Sequence, residues 1–476
     1  MKKILFLSII LIGIISCKTD NQIAENKIIP NKKTIKLDSL YSELYKKGAF
    51  NGNVLVAENG SVIFEKSYGF ANEKSKEKLN EQTIFELASV SKQFTAMGIV
   101  LLKKQGKLSY ADKISKYIPE LSKYKGITIK NLLTHTGGLP DYMSIAEKQW
   151  DKSKIATNND IIHLFEKLNP KKEFEPNEKW RYSNTGYLLL ATIIERISKQ
   201  SFGDFLKKNI FEPLQMSNTS IYQRRFEPRK ITNYAQGYIY SDSLKRKILP
   251  DELGKGYYVV YLDGIVGDGM VNSNLQDLLK WDRTLYGNNL INDEDRKMIF
   301  SSYKINNQIK TDYGFGWMID STKTYGKIAN HSGGWAGYIT HIERHIDNDK
   351  TIIILQNNST EKIEVPIKNS RKILYNLPVE TPIELKDPSV LKIFTGKYLK
   401  PNGKNREIVF ENNKLYVVMN PEFKAELIPV SYVKFIVKGF SPEVTYEFIL
   451  NTKGKVERYR VQQEATGLDK EAKKIE

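Results

Sequence analysis

Hydrophobic positions along the chain change their spacing several times, and each change predicts a different element. Apolar residues over 37–44 recur at helical spacing, and Gly48 is expected to end that helix. Two β-type runs follow, over 53–58 and 61–65, with Asn59-Gly60 between them. Asn-Gly favours the tight turn of a β-hairpin, because both central residues of that turn need a positive φ.

The middle of the chain mixes longer helical patterns with a further pair of strands. Residues 107–175 alternate short helices with polar loops, and Ser273-Asn-Leu-Gln276 resembles a capping box that opens a helix. The remaining predicted elements are helices over 89–105, 187–197 and 360–375 and a hairpin formed by 337–346 and 351–356.

The tail has a different pattern. Apolar and polar residues alternate over 444–450, residues 415–419 are strand-like, and turn residues separate such runs. Short strands without helices favour a small antiparallel barrel or sandwich, which we assign to residues 386–476. A proline-containing segment over 377–383 is the expected linker.

The N-terminus predicts export. Lys2 and Lys3 precede an apolar run over 4–15, which is too short to span a bilayer and fits a signal peptide. Ile14-Ile-Ser-Cys17 resembles a bacterial lipobox, so residues 1–17 are interpreted as a lipoprotein signal and 18–36 as a polar tether. The alternative is an ordinary signal peptide in which the cysteine is accidental. The lipobox predicts a protein anchored in a bacterial cell envelope by a lipid on Cys17.

Composition narrows the choice of partners. The 476 residues are 40% hydrophobic, which suffices for a large core, and they carry a formal net charge of +18. The lysines are scattered among acidic residues, so a solvated basic surface is favoured over nucleic-acid binding. The five histidines show no metal-ligand spacing, and we expect neither a metal nor another cofactor.

Ser89-Val-Ser-Lys92 opens the strongest helical pattern in the chain. A spacing of three residues places both side chains on one helix face, at an N-terminus whose free N–H groups suit a developing oxyanion. Serine needs a neighbouring base to act as a nucleophile, and a lysine can serve. The alternative is a helix cap beside a surface charge. Ser-x-x-Lys also occurs at Ser75, Ser122, Ser301, Ser389 and Ser431, in polar stretches or near turns.

Two further motifs follow in order. Tyr182-Ser-Asn184 precedes the 187–197 helix, and it offers a phenol that can shuttle a proton and an amide that can hold a substrate carbonyl. His331-Ser-Gly333-Gly334 leads into a strand, where glycines allow a substrate to approach the backbone. His135 begins a similar His-Thr-Gly motif, but there a packed, hydrogen-bonded loop histidine is the favoured interpretation.

Together these three motifs resemble those of the penicillin-recognising serine hydrolases. That family includes class C β-lactamases, D-alanyl-D-alanine carboxypeptidases, D-aminopeptidases and esterases. Further resembling stretches are Asn131–Pro140, Trp180–Tyr187, Gly267–Val271 and Tyr313–Trp317. The resemblance covers 37–378 and implies an α/β (α+β) fold, with an antiparallel sheet flanked by helices and an all-helical subdomain. The tail resembles, more weakly, a lipocalin-like barrel.

The resemblance also implies roles. Ser89 would be the acylated nucleophile, Lys92 its activator and Tyr182 the proton shuttle. Asn184 would hold the substrate amide, and the N–H groups of Ser89 and Gly334 would form the oxyanion hole.

The third motif departs from the lactamase pattern. His331 stands where class C lactamases carry a lysine, and an unperturbed histidine is mostly neutral at pH 7. Recognition of a substrate carboxylate should therefore be weaker, although the histidine could also serve only as a structural hydrogen-bond partner.

The expected activity is hydrolysis of a peptide, amide or ester through an acyl-enzyme. The alternatives are a carboxylesterase of the same fold and a non-catalytic protein that binds cell-wall peptides. The actual substrate and the oligomeric state do not follow from the sequence.

Overall fold

The computed structural model describes residues 31–360, 362–380, 382–440, 443–463 and 468–476. Mixed α/β architecture occupies the chain up to about residue 375, and a β-barrel follows, which confirms the expected fold class. The predicted signal segment, Cys17 included, lies outside the described residues.

An antiparallel sheet forms the centre of the larger region. The strands of the described chain before the barrel are β1 Gly52–Glu58, β2 Ser61–Tyr68, β3 Phe70–Asn72, β4 Glu77–Lys78, β5 Phe85–Glu86, β6 Ser220–Ile221, β7 Tyr238–Ser241, β8 Arg246–Ile248, β9 Val271–Ser273, β10 Met318–Thr322, β11 Gly326–Trp335, β12 Tyr338–His345, β13 Lys350–Gln356 and β14 Asn358–Ser359. Among the described residues the strand order of the central sheet is β10-β11-β12-β13-β1-β2, so both predicted hairpins are confirmed and lie in one sheet.

Helices cover both faces of that sheet. Those of the described chain are α1 Lys32–Lys46, α2 Lys92–Lys104, α3 Ile129–Leu133, α4 Tyr142–Gln149, α5 Asn158–Leu168, α6 Asn184–Ser198, α7 Phe202–Leu206, α8 Tyr258–Tyr261, α9 Leu275–Thr284, α10 Asp293–Ile299 and α11 Ile367–Leu374.

The side chains of the central strands alternate between two cores. Val54 and Ile354 pack with α1 and α11 on one face, whereas Leu55 and Ile353 join the larger core that contains α2, α6 and α9. Each of these fully buried side chains contributes about 2 kcal/mol to folding. Burial on both faces explains why these strands are almost continuously apolar.

Between β5 and β6 the chain is helical, and it forms the expected helical subdomain through α3, α4 and α5. Helix α2 packs against α6, which places the Ser-x-x-Lys and Tyr-x-Asn motifs side by side. None of the helices in the described ranges combines the length and the apolar composition that a membrane-crossing segment requires.

The tail closes into an antiparallel barrel through the pairing of its first and last strands. Its interior contains aromatic rings in tilted and edge-to-face contacts, with Phe394 and Phe448 4.6 Å apart between centroids. A 3₁₀ helix over Pro388–Phe394, which the sequence did not predict, packs against two strands of the barrel. The strands are β15 Gly396–Leu399, β16 Asn405–Glu411, β17 Lys414–Asn420, β18 Phe423–Pro429, β19 Lys434–Val437, β20 Thr445–Leu450, β21 Val456–Gln463 and β22 Leu468–Lys474.

Several predicted helix boundaries were wrong. Asn274, rather than Ser273, caps α9, because its side chain accepts the N–H of Asp277. The closing helix is shorter than the predicted 360–375 and begins only after Pro366. Helix α6 begins at Asn184, three residues earlier than predicted, so this asparagine is already helical.

Candidate active site

Ser89 lies in a short 3₁₀ helix, Ala88–Ser91, that leads into α2. Its predecessor Ala88 has a φ of +49°, a left-handed conformation that L residues rarely adopt, so the backbone is strained just before the serine. The neighbouring Leu87 holds this turn in place, since its N–H donates to Val271 O at 2.9 Å and its carbonyl accepts from Thr340 Oγ1 at 2.7 Å.

Lys92 is completely buried, and its ammonium group faces three acceptors. Nζ lies 3.2 Å from Ser89 Oγ, 2.9 Å from Asn184 Oδ1 and 2.9 Å from the backbone carbonyl of Asp268. An ammonium group has three N–H donors, so these contacts use all of them. The interpretation of Lys92 as a surface charge is therefore wrong.

Asn184 and Tyr182 approach Lys92 from the other side. The N–H of Asn184 donates to Asp141 Oδ2 at 2.7 Å, which fixes the start of α6. The Tyr182 ring lies with its centroid 5.0 Å from Lys92 Nζ. Its hydroxyl is buried and has no hydrogen-bond partner within the described residues, so it is free to bond an incoming group.

His135 packs directly against Tyr182, with ring centroids 4.4 Å apart. Its Nδ1 accepts the N–H of Ser183 at 3.2 Å, which agrees with the predicted packed loop histidine. Burial, reinforced by the charge of Lys92, holds its pKa well below 6.5, so the ring is neutral. A neutral His135 can support Tyr182 without adding a second cation beside Lys92.

His331 is buried and neutral as well. Burial and the nearby charge of Lys92 lower its pKa to about 3. Its Nδ1–H donates to Ser332 O at 2.7 Å, so its Nε2 accepts from the hydroxyl of Tyr313 at 3.0 Å. The partner is Tyr313 rather than a substrate group, and the imidazole carries no positive charge at neutral pH.

The two glycines of the third motif have opposite surroundings. A Cβ on Gly333 would lie 2.2 Å from Leu87 O and 2.3 Å from Thr340 Oγ1, so only glycine fits between β11 and the serine turn. A Cβ on Gly334 would meet nothing within 4 Å, because this residue faces the pocket. Gly334 is exposed and lines the same cavity as Ser89.

A cavity of about 160 Å³ joins these groups. Its walls include Ser89, Asn184, Gly334 and Trp335. The Trp335 Nε1–H is buried without a partner in the described chain. The remaining lining residues are Glu86, Ala88, Tyr142, Met143, Tyr258, Leu262, Ile265, Asp268, Gly269 and Met270.

Several of these residues were missed by the sequence reasoning. Tyr313 and Asp268 lie in stretches that were noted only because they resemble the family. Their spacing in the sequence did not indicate that Tyr313 contacts His331 or that Asp268 contacts Lys92. Asp268 accepts from Tyr142 OH at 2.9 Å, and burial raises the pKa of its carboxyl group. Among the described residues, no group of three or more His, Cys, Asp or Glu side chains is placed to hold a metal ion.

Comparison with known proteins agrees with this geometry. The family described as Beta-lactamase matches residues 37–374. Penicillin-binding protein 4* of Bacillus subtilis (strain 168) is 42% identical over 419 residues, which cover 86% of this chain and 93% of that protein.

Two solved structures share the fold. The octameric penicillin-binding protein homologue from Pyrococcus abyssi aligns with a TM-score of 0.62 at 24% identity, over 92% of this chain and 99% of its own. The D-amino acid amidase from Ochrobactrum anthropi SV3 aligns with a TM-score of 0.61 at 20% identity, over 73% and 99%. The chain thus belongs to the beta-lactamase family and is a serine hydrolase of the β-lactamase and D,D-peptidase type.

Proposed function

We propose that this protein hydrolyses a peptide, amide or ester through an acyl-enzyme on Ser89. The observation that carries the proposal is the contact of the buried Lys92 with both Ser89 Oγ and Asn184 Oδ1. A buried lysine that touches a half-buried serine at the wall of a cavity serves no evident packing purpose. In its neutral amine form, with a lone pair in place of one of the three N–H donors, Lys92 would take the serine proton as the nucleophile attacks.

In the proposed reaction, Ser89 Oγ attacks the substrate carbonyl carbon and forms the acyl bond. The bond from that carbon to the leaving amine or alcohol breaks, and the leaving group receives the proton that left Ser89. Lys92 and Tyr182 are the groups placed to carry this proton. Water then attacks the carbonyl carbon of the acyl-enzyme, and the bond from that carbon to Ser89 Oγ breaks. The acid product leaves, and a proton from the water returns to Ser89 Oγ through the same groups.

The oxyanion of the intermediate would be held by the N–H groups of Ser89 and Gly334. Gly333 lets β11 approach the serine turn closely, and this approach brings the next residue to the cavity wall. Backbone donors of this kind are already oriented before the reaction, which is why they stabilise the transition state efficiently. Asn184 Nδ2, whose contact in the structure is the sulfur of Met143 at 3.6 Å, is available for the substrate amide.

A covalent probe tests the proposal. A fluorophosphonate should add one mass equivalent to the wild-type protein, and Ser89→Ala should remove the label while keeping the fold. A folded wild-type protein that neither labels nor hydrolyses any substrate would instead support the non-catalytic cell-wall binder. Nitrocefin, short-chain nitrophenyl esters and D-amino-acid peptides, assayed side by side, separate the peptidase from the carboxylesterase.

We also propose that the protein is exported and anchored at Cys17 in a bacterial cell envelope. The support is the basic start, short apolar run and lipobox-like Ile14-Ile-Ser-Cys17. Cys17→Ser should move the protein from the membrane fraction to the soluble one. Equal membrane association of this variant would contradict the lipid anchor.

A further inference from the structure

Glu86 is a buried carboxyl group at the wall of the catalytic cavity. It lies in β5, three residues before Ser89, and only 7% of the residue is exposed. It lines the same 160 Å³ cavity as Ser89 and Asn184. Throughout the described chain, no hydrogen bond reaches its carboxyl oxygens. A buried polar group without a partner costs stability, so such a group is typically kept for a ligand.

The charges around Glu86 are already paired with one another. Arg225 binds Asp263 at 2.8 Å and Asp251 at 2.7 Å, and Arg224 binds Asp251 as well. The charges of the two arginines and the two aspartates therefore balance. Glu86 has no ion-pair partner among the described residues. Burial, together with the charge of Asp263, raises the pKa of Glu86 to about 8, and the arginines offset this only in part. The Glu86 carboxyl group also interacts electrostatically with the hydroxyl groups of three tyrosines, Tyr234, Tyr258 and Tyr338.

The rest of the cavity offers no positively charged side chain to an anionic substrate group. Among its described lining residues there is no lysine, arginine or histidine. Lys92 behind the wall uses its three donors internally, and His331 is neutral. Asp268, the other carboxyl group of the cavity, already accepts from Tyr142. A substrate carboxylate would meet no positive charge here, whereas a substrate ammonium would meet a carboxyl oxygen of Glu86 that is free to accept its hydrogen bond.

We propose that Glu86 binds the ammonium group of the substrate, so that the enzyme prefers amides and esters of amino acids whose amino group is free. The side chain of such an amino acid would pack against the apolar walls formed by Leu262, Ile265 and Trp335. An approaching ammonium favours the ionised carboxylate, so binding displaces the proton from Glu86. This assignment rests on the proposed acyl-enzyme at Ser89 and specifies its substrate class.

A matched substrate pair tests the proposal in the unmodified protein. The p-nitroanilides of D- and L-alanine are compared with their N-acetyl derivatives, which keep the scissile bond but lose the charge. At pH 7.5 the wild-type enzyme should favour the free amine of the preferred enantiomer by about 50-fold or more in kcat/KM. A ratio of one or less in the folded wild-type protein would overturn the proposal without any variant.

The variant Glu86→Gln keeps the size of the side chain and removes the charge. It should reduce that preference to within about threefold, mainly through KM for the free amine, while hydrolysis of the N-acetyl substrate persists. Glu81→Gln, on an exposed turn of the same segment, should keep the wild-type ratio. An unchanged ratio in a folded Glu86→Gln protein would contradict the proposal.

Failure of the broader assignment gives a different result. If Ser89 is not the nucleophile, the wild-type protein neither takes up a fluorophosphonate nor hydrolyses either member of the pair. If only the role of Glu86 is wrong, labelling and hydrolysis persist and the free amine gains no advantage.

Discussion

The pattern Ser-x-x-Lys stands in the hydrolase region at Ser89 and in the barrel at Ser431, and the two copies have opposite surroundings. Lys92 is fully buried and contacts Ser89 Oγ. In the barrel, Ser431 Oγ accepts the backbone N–H of Lys434 at 3.0 Å, while the ammonium of Lys434 binds Glu380 at 2.5 Å. One copy joins the two side chains at a cavity, and the other makes a turn with an ordinary ion pair.

The interior of the barrel and the surroundings of the hydrolase site differ in how their buried polar groups are hydrogen-bonded. The barrel fills its centre with aromatic rings and satisfies Tyr398 OH through Phe394 O at 2.8 Å. Around the hydrolase site, buried polar atoms lack partners in the described structure, namely Tyr182 OH, His135 Nε2, Trp180 Nε1 and Trp335 Nε1. The unpartnered atoms at the site are therefore available to a substrate, in contrast to the satisfied hydroxyl of Tyr398 in the barrel.

The largest effect is expected from substitution of Ser89 and Lys92, and the Ser431 and Lys434 pair of the barrel is the matched control. Ser89→Ala and Lys92→Ala should each lower kcat by at least about 1,000-fold, and the double variant should be scarcely worse because both groups serve one step. Ser431→Ala and Lys434→Ala should leave kcat unchanged. Steady-state kinetics with an ester substrate measures both sets. Multiplicative losses in the Ser89/Lys92 double variant would contradict the shared step.

The glycines of β11 provide the next test. Gly333→Ala forces a Cβ against Leu87 O and Thr340 Oγ1, so the free energy of unfolding should fall by about 3 kcal/mol as the serine turn is displaced. Gly334→Ala has open space for its Cβ and should leave stability within about 0.5 kcal/mol. Urea unfolding compares the two. Equal stabilities would mean that β11 does not lie as close to the serine turn as described.

His331 should make stability depend on pH. Burial lowers its pKa from 6.5 to about 3, so between these values the unfolded state binds the extra proton. The free energy of unfolding should therefore fall as pH drops below 6.5, by about 1.4 kcal/mol per pH unit for this residue.

Urea unfolding at pH 6.5 and pH 5 measures that slope. His331→Asn should flatten it by about 2 kcal/mol over this interval. His163→Asn, an exposed substitution on α5, controls for the loss of a histidine as such. An identical slope in wild type and His331→Asn would show that the imidazole is not held neutral.

The smallest effect is expected from removal of the barrel. Glu443 accepts from Lys368 and from Lys372 at 3.1 Å, which joins the barrel to α11 on the face of the sheet remote from Ser89. A chain that ends near residue 380 should keep ester hydrolysis within about threefold, since the contacts that it loses lie away from Ser89. Loss of activity in a chain that is still folded by circular dichroism would mean that the barrel shapes the site.

Local residue patterns were enough to predict most of the helices and strands and the order of the three motifs along the chain. Helical spacing over 37–44, the Asn59-Gly60 hairpin and the alternation over 444–450 each reflect local geometry, and each was confirmed. The three motifs were visible because short spacings place neighbouring side chains together.

Which copy of a motif forms a site, and what charge its residues carry, follows from the packing of the whole chain. The contact of Lys92 with Asn184 spans 92 positions, and the neutrality of His331 comes from burial and from Lys92 rather than from its own neighbours. The availability of Glu86 depends on arginines that are paired elsewhere. Desolvation and long-range contacts are properties of the packed chain, so no local pattern can specify them.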